Sequence, residues 1–409
     1  MSIAKADMDL YNMPVPSLGE VLQPEQAMLL TVQLGLRGLG LTGLNPMVGC
    51  CILDRQGILI GIGWHAGYGA AHAEVAAIQQ VRASGYAQRL SGAVLYSSLE
   101  PCCHHGKTPP CTELIAALPV AKVVYGDQDP NPQVSGKGAQ KLRQAGIVVE
   151  TPDLYRRYTR SMIASFSTNQ YHGRAHVVAK AAQSRDGVVG VDKVSKFQIT
   201  PPEVQVKCHF LRQRADLIAI GCGTARVDNP SLSVRSPFIR QVRQPDTLVV
   251  DPQGEALRHF CERAQAPAWL QAGRHSFWAV QPEVQAAVEV QTRMTPWLEQ
   301  ALQEQSLILF SHAYVGARFD WHVFTTWVYQ HHRVATILLE GGVGLWEGAF
   351  SQKMVDELHL LQNQRELGTV PGAVFWQAQS PKWDLKLWGS WSLDGDNIWQ
   401  QSFVTYAEK

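Results

Sequence analysis

Pro101-Cys102-Cys103-His104-His105-Gly106-Lys107-Thr108-Pro109-Pro110-Cys111 is the stretch whose reading decides the fold of this chain. It begins just after a strand-like run at 93–97, and its last cysteine opens a helix-like run at 111–118. A second stretch, Ala71-His72-Ala73-Glu74, has the same placing. It follows a strand-like run at 58–64 and opens a helix that runs from His72 toward Ala83. Segments of this kind set polar side chains at the ends of strands. There the partial positive charge of a helix N-terminus favours thiolate over thiol. One imidazole and two thiolates can hold a zinc ion and leave its fourth position open.

Outward from these segments the pattern alternates. A helix is expected from Pro24, with Met28, Leu29, Val32 and Leu36 at helical spacing. Strands are expected at 47–53 and 58–64, joined by the turn Asp54-Arg55-Gln56-Gly57. Further strands fall at 121–125 and 147–150, with a helix at 137–145. The alternation predicts a layered α/β domain over 24–150. Residues 1–23 read as a flexible extension and 151–174 as a linker helix. A second βα pattern occupies 175–409. It begins with a strand at 175–182 and a helix start at Thr200-Pro201-Pro202-Glu203, with Thr200 as N-cap and Glu203 at the capping-box position. Strands follow at 216–221, 247–251 and 335–339, the last ending in Glu340-Gly341-Gly342. After a helix comes a strand at 357–361, and Trp383, Trp388, Trp391 and Trp399 suggest closing antiparallel strands.

The chain's 409 residues suit two or three domains. With 45% hydrophobic and 17% charged residues it can build large cores. A net charge of +1 argues against a dedicated nucleic-acid binder, while leaving room for a small phosphorylated substrate. The eight cysteines are irregularly spaced, which points to a metal or catalytic protein of the cytoplasm and not to a disulfide framework. The N-terminus lacks the pattern of a signal peptide, and no apolar run is long enough to span a membrane.

An H-x-E segment followed by Pro-Cys and a second Cys is the pattern of zinc-dependent nucleobase deaminases. On this pattern His72, Cys102 and Cys111 are the metal ligands of one zinc per chain, and Glu74 is the proton carrier. Zinc lowers the pKa of water toward neutrality, water attacks a ring carbon bearing an amino group, and Glu74 moves protons to the ring and the departing ammonia. A structural zinc with four protein ligands competes with this reading, the fourth drawn from Cys103, His104 or His105. Asn45 can hold a substrate through its amide or simply form a turn. His65, His104 and Lys107 can meet a ring or a phosphate, or be structural. Cys103 and the pair Cys50-Cys51 read as core thiols.

The run Ser98-Leu99-Glu100-Pro101 through Cys111 closely resembles the zinc segment of the bifunctional riboflavin-biosynthesis deaminase/reductase family. Asn45-Pro46-x-Val48-Gly49 and Asp129-Pro130-Asn131-Pro132 are similar to its flanking motifs. The wide Cys102–Cys111 gap separates the chain from most cytidine and tRNA-adenosine deaminases. The resemblance implies a cytidine-deaminase-like three-layer α/β/α domain. It implies deaminase substrate contacts at Asn45, His65, His104, Lys107 and Asn131, and deamination of a phosphorylated diaminopyrimidine. Farther on, Lys180 with Ser184-Arg185-Asp186-Gly187, Leu211-Arg212, Gly223-Thr224-Ala225-Arg226-Val227-Asp228-Asn229-Pro230, Glu340-Gly341-Gly342 and Val355-Asp356-Glu357 resemble the family's later motifs. They imply a dihydrofolate-reductase-like α/β domain that uses NADPH to reduce a ribosyl side chain to ribityl. Ala182, Thr224, Asp228, Gly342 and Gly344 would then lie near the cofactor, and Lys180, Arg212, Leu232, Arg235 and Glu340 near the substrate. Arginine can clamp a phosphate with two hydrogen bonds, and a glycine turn opening a helix can approach phosphates closely. The family also suggests a homo-oligomer.

The second half departs from the family at Lys196-Phe197-Gln198-Ile199 and at 361–368, and the stretch 256–307 resembles nothing named. Alternatives are therefore carried alongside the bifunctional enzyme. They are a deaminase with a scaffold-only second domain, a nucleoside or tRNA deaminase, and a zinc-binding module without catalysis.

Overall fold

The structure is a computed structural model that describes residues 11–105, 109–191, 199–236, 239, 243–291, 295–368, 373–378, 383–394 and 396–406. The chain divides into two compact units between Gly173 and Arg174.

The first unit runs α1 (Pro24–Gly35), β1 (Gly49–Leu53), β2 (Leu59–Trp64), α2 (Ala73–Ala83), β3 (Val94–Leu99), α3 (Cys111–Ala116), β4 (Lys122–Asp127), α4 (Lys137–Gln144), β5 (Val148–Glu150) and α5 (Asp153–His172). The sheet order is β2-β1-β3-β4-β5. β1 is antiparallel to β2 and β3, and the remaining pairs are parallel. Every residue of β1 is buried, so both sheet faces are covered. Alternation along the strand sends Cys50 and Ile52 into one core with Ala77, Ile78, Leu95, Ile115 and Leu142. Cys51 and Leu53 enter the other, with Met28, Leu30, Leu34, Tyr96 and Val124. This is the expected three-layer α/β/α arrangement, and the adjacent cysteines are core thiols of opposite layers.

Two expectations change in this unit. From residue 11 the N-terminal extension is docked, not loose. Gly19 N–H donates to Leu59 O at 2.8 Å, Leu59 N–H to Glu20 O at 2.8 Å and Leu22 N–H to Gly57 O at 2.9 Å, lacing the segment along β2. Val15, Leu18 and Leu22 pack into the α1-side core, and their irregular spacing hid this from a periodicity reading. The segment 151–174, expected as a linker, contains α5, which belongs to the first unit and lies over β4 with Thr159 against Gly126.

The second unit runs β6 (His176–Gln183), β7 (Val188–Val191), α6 (Pro202–Arg214), β8 (Leu217–Gly221), α7 (Cys222–Asp228), β9 (Asp246–Val250), α8 (Glu255–Glu262), β10 (Ser276–Ala279), α9 (Pro282–Gln291), α10 (Pro296–Gln303), β11 (Leu307–Phe310), β12 (Tyr314–Val315), β13 (Arg318–Phe319), α11 (Trp321–His332), β14 (Thr336–Leu339), α12 (Val343–Ser351), β15 (Glu357–Asn363), β16 (Ala373–Phe375), β17 (Trp383–Asp394) and β18 (Asn397–Tyr406). Its main sheet is ordered β11-β10-β9-β8-β14-β6-β15-β18-β17. The strands from β11 to β15 are parallel, and β18 and β17 close the sheet antiparallel, as the tryptophan spacing suggested. The unassigned stretch 256–307 supplies β10 and three helices and leads into β11, widening the sheet on one side. The N-cap of α6 is Pro201 and not Thr200. The consecutive prolines fix φ, so the helix starts one residue later than the hydroxyl suggested.

From β8 the chain moves outward through β9, β10 and β11, then returns to insert β14 between β8 and β6. The crevice at the C-terminal ends of β8 and β14 is therefore where the strand order reverses, the usual ligand position in open α/β sheets.

Candidate active sites

In the first unit His72 caps α2 and Glu74 lies in that helix's first turn. The placement depends on glycines in β2. A Cβ on Gly63 would come within 2.3 Å of Ala73 O, so only glycine lets α2 settle on the strand. Cys111 begins α3, and Cys102 lies near the start of the loop that joins β3 to it. The donor atoms of His72, Cys102 and Cys111 all lie within 4.8 Å of one another. His72 Nδ1 is 3.5 Å from Cys102 Sγ and 3.4 Å from Cys111 Sγ.

The Cys111 N–H donates to the Cys102 sulfur at 3.3 Å, and the Cys111 thiol adjoins the same sulfur. Those hydrogen bonds, with His72, outweigh burial and hold the Cys102 thiol well below its usual value. Cys111, the donor in this pair and itself buried, is pushed up. Glu74 is buried, and burial followed by the charge of Cys102 raises its carboxyl above the usual range. It accepts from Ser97 Oγ at 3.3 Å and from the Cys111 thiol at 3.5 Å.

His65 and Asn45 join this cluster. The His65 ring meets His72 edge-on at 5.8 Å. His65 Nδ1 lies 3.1 Å from Ala71 O, so it carries the proton, and Nε2 accepts from Asn45 Nδ2 at 3.2 Å. Burial lowers the imidazole pKa, which keeps that neutral form. Asn131 sits in a turn where its N–H donates to Asp129 Oδ1 at 2.8 Å and its own Oδ1 accepts from Gln133 N–H at 3.0 Å. Asp129 is pushed up to about 7, by burial and then by the charges of Glu100, Cys102 and Glu74. His104 is exposed, and Lys107 lies outside the described residues. Among the described residues no fourth ligand joins the three. Cys103 Sγ turns to Gln133 O at 3.8 Å, and His105 pairs with Glu113 at 3.1 Å.

Two contributors escaped the sequence reading. Ser97 is fully buried on the same face of β3 as Leu95 and Leu99, so strict alternation could have flagged it as a polar residue facing α2. Glu100 accepts from Gly136 N–H at 2.9 Å and Ala139 N–H at 3.0 Å, fixing the start of α4 and the 129–132 loop.

In the second unit Arg212 and Glu340 form a bidentate pair. Arg212 Nε donates to Oε1 at 2.5 Å and Nη2 to Oε2 at 2.7 Å, while Nη1 donates to Ser233 O at 3.0 Å. The fork is thus engaged by a carboxylate of the same unit, one of the residues expected near the substrate. Burial alone would raise Glu340, but Arg212, and then the charge of Lys180, hold it below its usual value. The exposed Arg235 donates from Nη1 to Ser233 Oγ at 2.7 Å and also to Ser231 Oγ, and its N–H donates to His209 Nδ1 at 3.2 Å. Leu232 is buried in this loop at φ 47°. Lys180 and Ala182 lie half-buried on β6.

At the β8/β14 crevice Thr224 packs against Gly341, where a Cβ would lie 2.8 Å from Thr224 Oγ1. Gly342 has φ 82° and caps α12, and Gly344 is exposed in that helix's first turn. Asp228 closes α7. Lys196 and Gln198 lie outside the described residues. The motif residue Asp186 accepts from Leu367 N–H at 3.2 Å and Gly368 N–H at 2.9 Å, tying the altered 361–368 segment to the end of β6.

Comparison with known proteins follows the same division. The RibD C-terminal domain model matches residues 175–399, and the cytidine and deoxycytidylate deaminase zinc-binding region matches 23–127. The riboflavin biosynthesis protein RibD of Bacillus amyloliquefaciens is 39% identical over 60% of this chain and 64% of its own length. The matched stretch thus spans less than two thirds of the curated relatives. The solved structure of Acinetobacter baumannii RibD is 25% identical with a TM-score of 0.71, covering 98% of this chain and 99% of that one. A Thermotoga maritima protein described as a diaminohydroxyphosphoribosylaminopyrimidine deaminase/5-amino-6-(5-phosphoribosylamino)uracil reductase shares the fold. Its TM-score is 0.72 at 23% identity, over 97% of this chain and 99% of that one.

Proposed function

This chain belongs to the RibD C-terminal domain family, and on that premise we propose that it is a bifunctional enzyme of riboflavin biosynthesis. Its first unit deaminates 2,5-diamino-6-(5-phosphoribosylamino)pyrimidin-4-one. Its second unit reduces the ribosyl side chain of the product, 5-amino-6-(5-phosphoribosylamino)uracil, to ribityl with NADPH. The observation that carries the reading is the convergence of one imidazole and two sulfurs beside a buried carboxylate.

The donor set fits zinc: two soft sulfurs and one nitrogen, with no fourth protein donor among the described residues. Bound there, zinc would supply the Lewis acidity that makes water nucleophilic near neutral pH. Glu74 takes one proton from the attacking water and delivers it to the ring nitrogen; it then takes the proton left on the added hydroxyl and passes it to the amino group, which departs as ammonia as the ring carbonyl forms. Its environment suits both directions, because burial makes the carboxyl easier to protonate. Ser97 fixes one carboxylate oxygen. His65, held neutral between Ala71 O and Asn45, orients the Asn45 amide toward the pyrimidine edge. Asn131, His104 and Lys107 complete the substrate contacts in this reading.

The second unit fits a dinucleotide at the β8/β14 crevice. Thr224 packs against Gly341 at a helix start whose backbone Gly342 and Gly344 leave open, and Asp228 is the further cofactor contact in this reading. The cofactor would supply a hydride. Lys180, Leu232, Arg235 and the Arg212–Glu340 pair line the place for the sugar phosphate. A scaffold-only second domain is disfavoured by this assembled cluster. A homo-oligomer in the cytoplasm, without nucleic-acid binding, belongs to the same reading.

The test is one purified protein in two assays. It should release ammonia from the diaminopyrimidine phosphate and oxidise NADPH with the deaminated product. Deamination of cytidine or tRNA in place of the pyrimidine phosphate would defeat the first assignment. An active deaminase that never oxidises NADPH would defeat the second. Light scattering reports the oligomer.

A further inference from the structure

The loop 229–235 presents Ser231, Ser233 and Arg235, yet its shape is imposed from outside. Leu232 has φ 47° and Asn229 φ 37°, left-handed backbone that a leucine adopts only under constraint. The constraint on Leu232 is Arg274, from the segment just before β10. Arg274 is 4% exposed, and its Nη1 and Nη2 donate to Ser231 O at 3.3 Å and Leu232 O at 3.2 Å. Among the described residues no carboxylate lies within ion-pair distance of it. A guanidinium buried with hydrogen bonds only to carbonyl oxygens is an expensive arrangement even with the charge of Asp246 acting from beyond ion-pair distance, and its two donors fall on the carbonyls on either side of the strained φ,ψ pair. Arg212 takes the next carbonyl, Ser233 O, at 3.0 Å, and Gln244 brackets Val234 with Oε1 on its N–H at 2.8 Å and Nε2 on its O at 3.1 Å. With the carbonyls of four successive residues, Ser231 to Val234, held in this way, the hydroxyls of Ser231 and Ser233 meet Arg235 Nη1.

We propose that Arg274 is a positioning residue that holds Leu232 in its left-handed conformation and so preforms an anion grip of Arg235, Ser231 and Ser233 for the phosphate of the second unit's substrate. This rests on the reductase reading above. Arg274 does not touch substrate; it acts through the backbone of residues 231 and 232.

The test uses the full chain with Arg274→Met, which keeps the length of the side chain and removes its donors. Three quantities are read: NADPH oxidation kinetics, calorimetric affinity for ribose 5-phosphate against ribose, and fluorescence affinity for NADPH. The KM for the phosphorylated substrate should rise about 10- to 100-fold, the effect of losing charge-assisted hydrogen bonds. The kcat and the NADPH affinity should stay within about 3-fold of wild type. Ribose 5-phosphate affinity should fall in parallel with KM, and first-unit deamination should be unchanged. An unaltered KM and ribose 5-phosphate affinity would overturn the proposal, as would equal losses of NADPH and phosphate binding. If Arg274→Met does not fold, Arg274→Lys keeps the charge with a single-point donor and should give a smaller rise in KM; wild-type values there also overturn it. If the wild-type chain oxidises no NADPH, the reductase reading fails, and the Arg274 proposal is then judged on ribose 5-phosphate affinity alone.

Discussion

The two sites handle charge in opposite ways. In the first unit two sulfurs, an imidazole and a carboxylate converge, with Glu74 Oε2 and Cys111 Sγ 3.5 Å apart. These are groups that attract a cation. In the second unit the chain supplies both signs itself, and Arg212 and Glu340 meet in a bidentate pair across 128 residues of sequence. The contrast teaches how each site comes to completion. The first is finished by an ion taken from outside, the second by folding.

The contrast can be broken at several points. The largest effect is expected from Glu74→Gln, which should cut deamination by about 10²- to 10⁴-fold while zinc content and NADPH oxidation hold steady. Surviving deamination would show that the carboxylate is not the proton carrier. Next, Glu340→Gln should leave Arg212 buried and underpaired, costing about 3 kcal/mol in urea unfolding of the second unit together with its NADPH oxidation. Unchanged stability would mean that the internal counter-ion is dispensable. Zinc chelation should do the reverse, lowering the first unit's melting temperature by more than about 4 °C and sparing the second. Gly63→Ala should push α2 off β2, costing about 1–3 kcal/mol and weakening zinc retention, read by metal competition.

The smallest effect concerns acid. Burial alone would raise Glu357, but Arg214 and His359, with hydrogen bonds from His176 and His359, hold it well below its usual value, and Glu340 is lowered as well. Folded values below the unfolded ones mean stability that is full above the ordinary glutamate value of 4.5 and lost as pH falls through the depressed values. Urea titrations at falling pH should therefore show the second unit weakening below that point. A flat profile would remove these carboxylates from its stability.

The same contrast explains what could be read without coordinates. His72, Glu74, Cys102 and Cys111 stand in two short segments whose spacing is itself the chemistry, so the cluster was legible. So was the alternation that places each segment between a strand and a helix. Arg212 and Glu340 were each legible as residues, but nothing local shows that they will pair. Arg274 carries no local signal at all. Its importance lies in the conformation of Leu232, far away in sequence. The docking of residues 11–23 escaped because it depends on backbone hydrogen bonds to β2, which any side chains can make. The membership of α5 in the first unit escaped because a helix between two domains looks the same in sequence whichever side it packs on.

The neighbouring thiols of β1 offer a use outside catalysis. Cys50 lies beneath α2 and Cys51 beneath α1, both without exposed surface. A thiol-reactive reagent can reach either sulfur only when its own layer lifts. Their separate labelling rates, read by peptide mass, would time the breathing of the two faces of one sheet from adjacent positions in the chain.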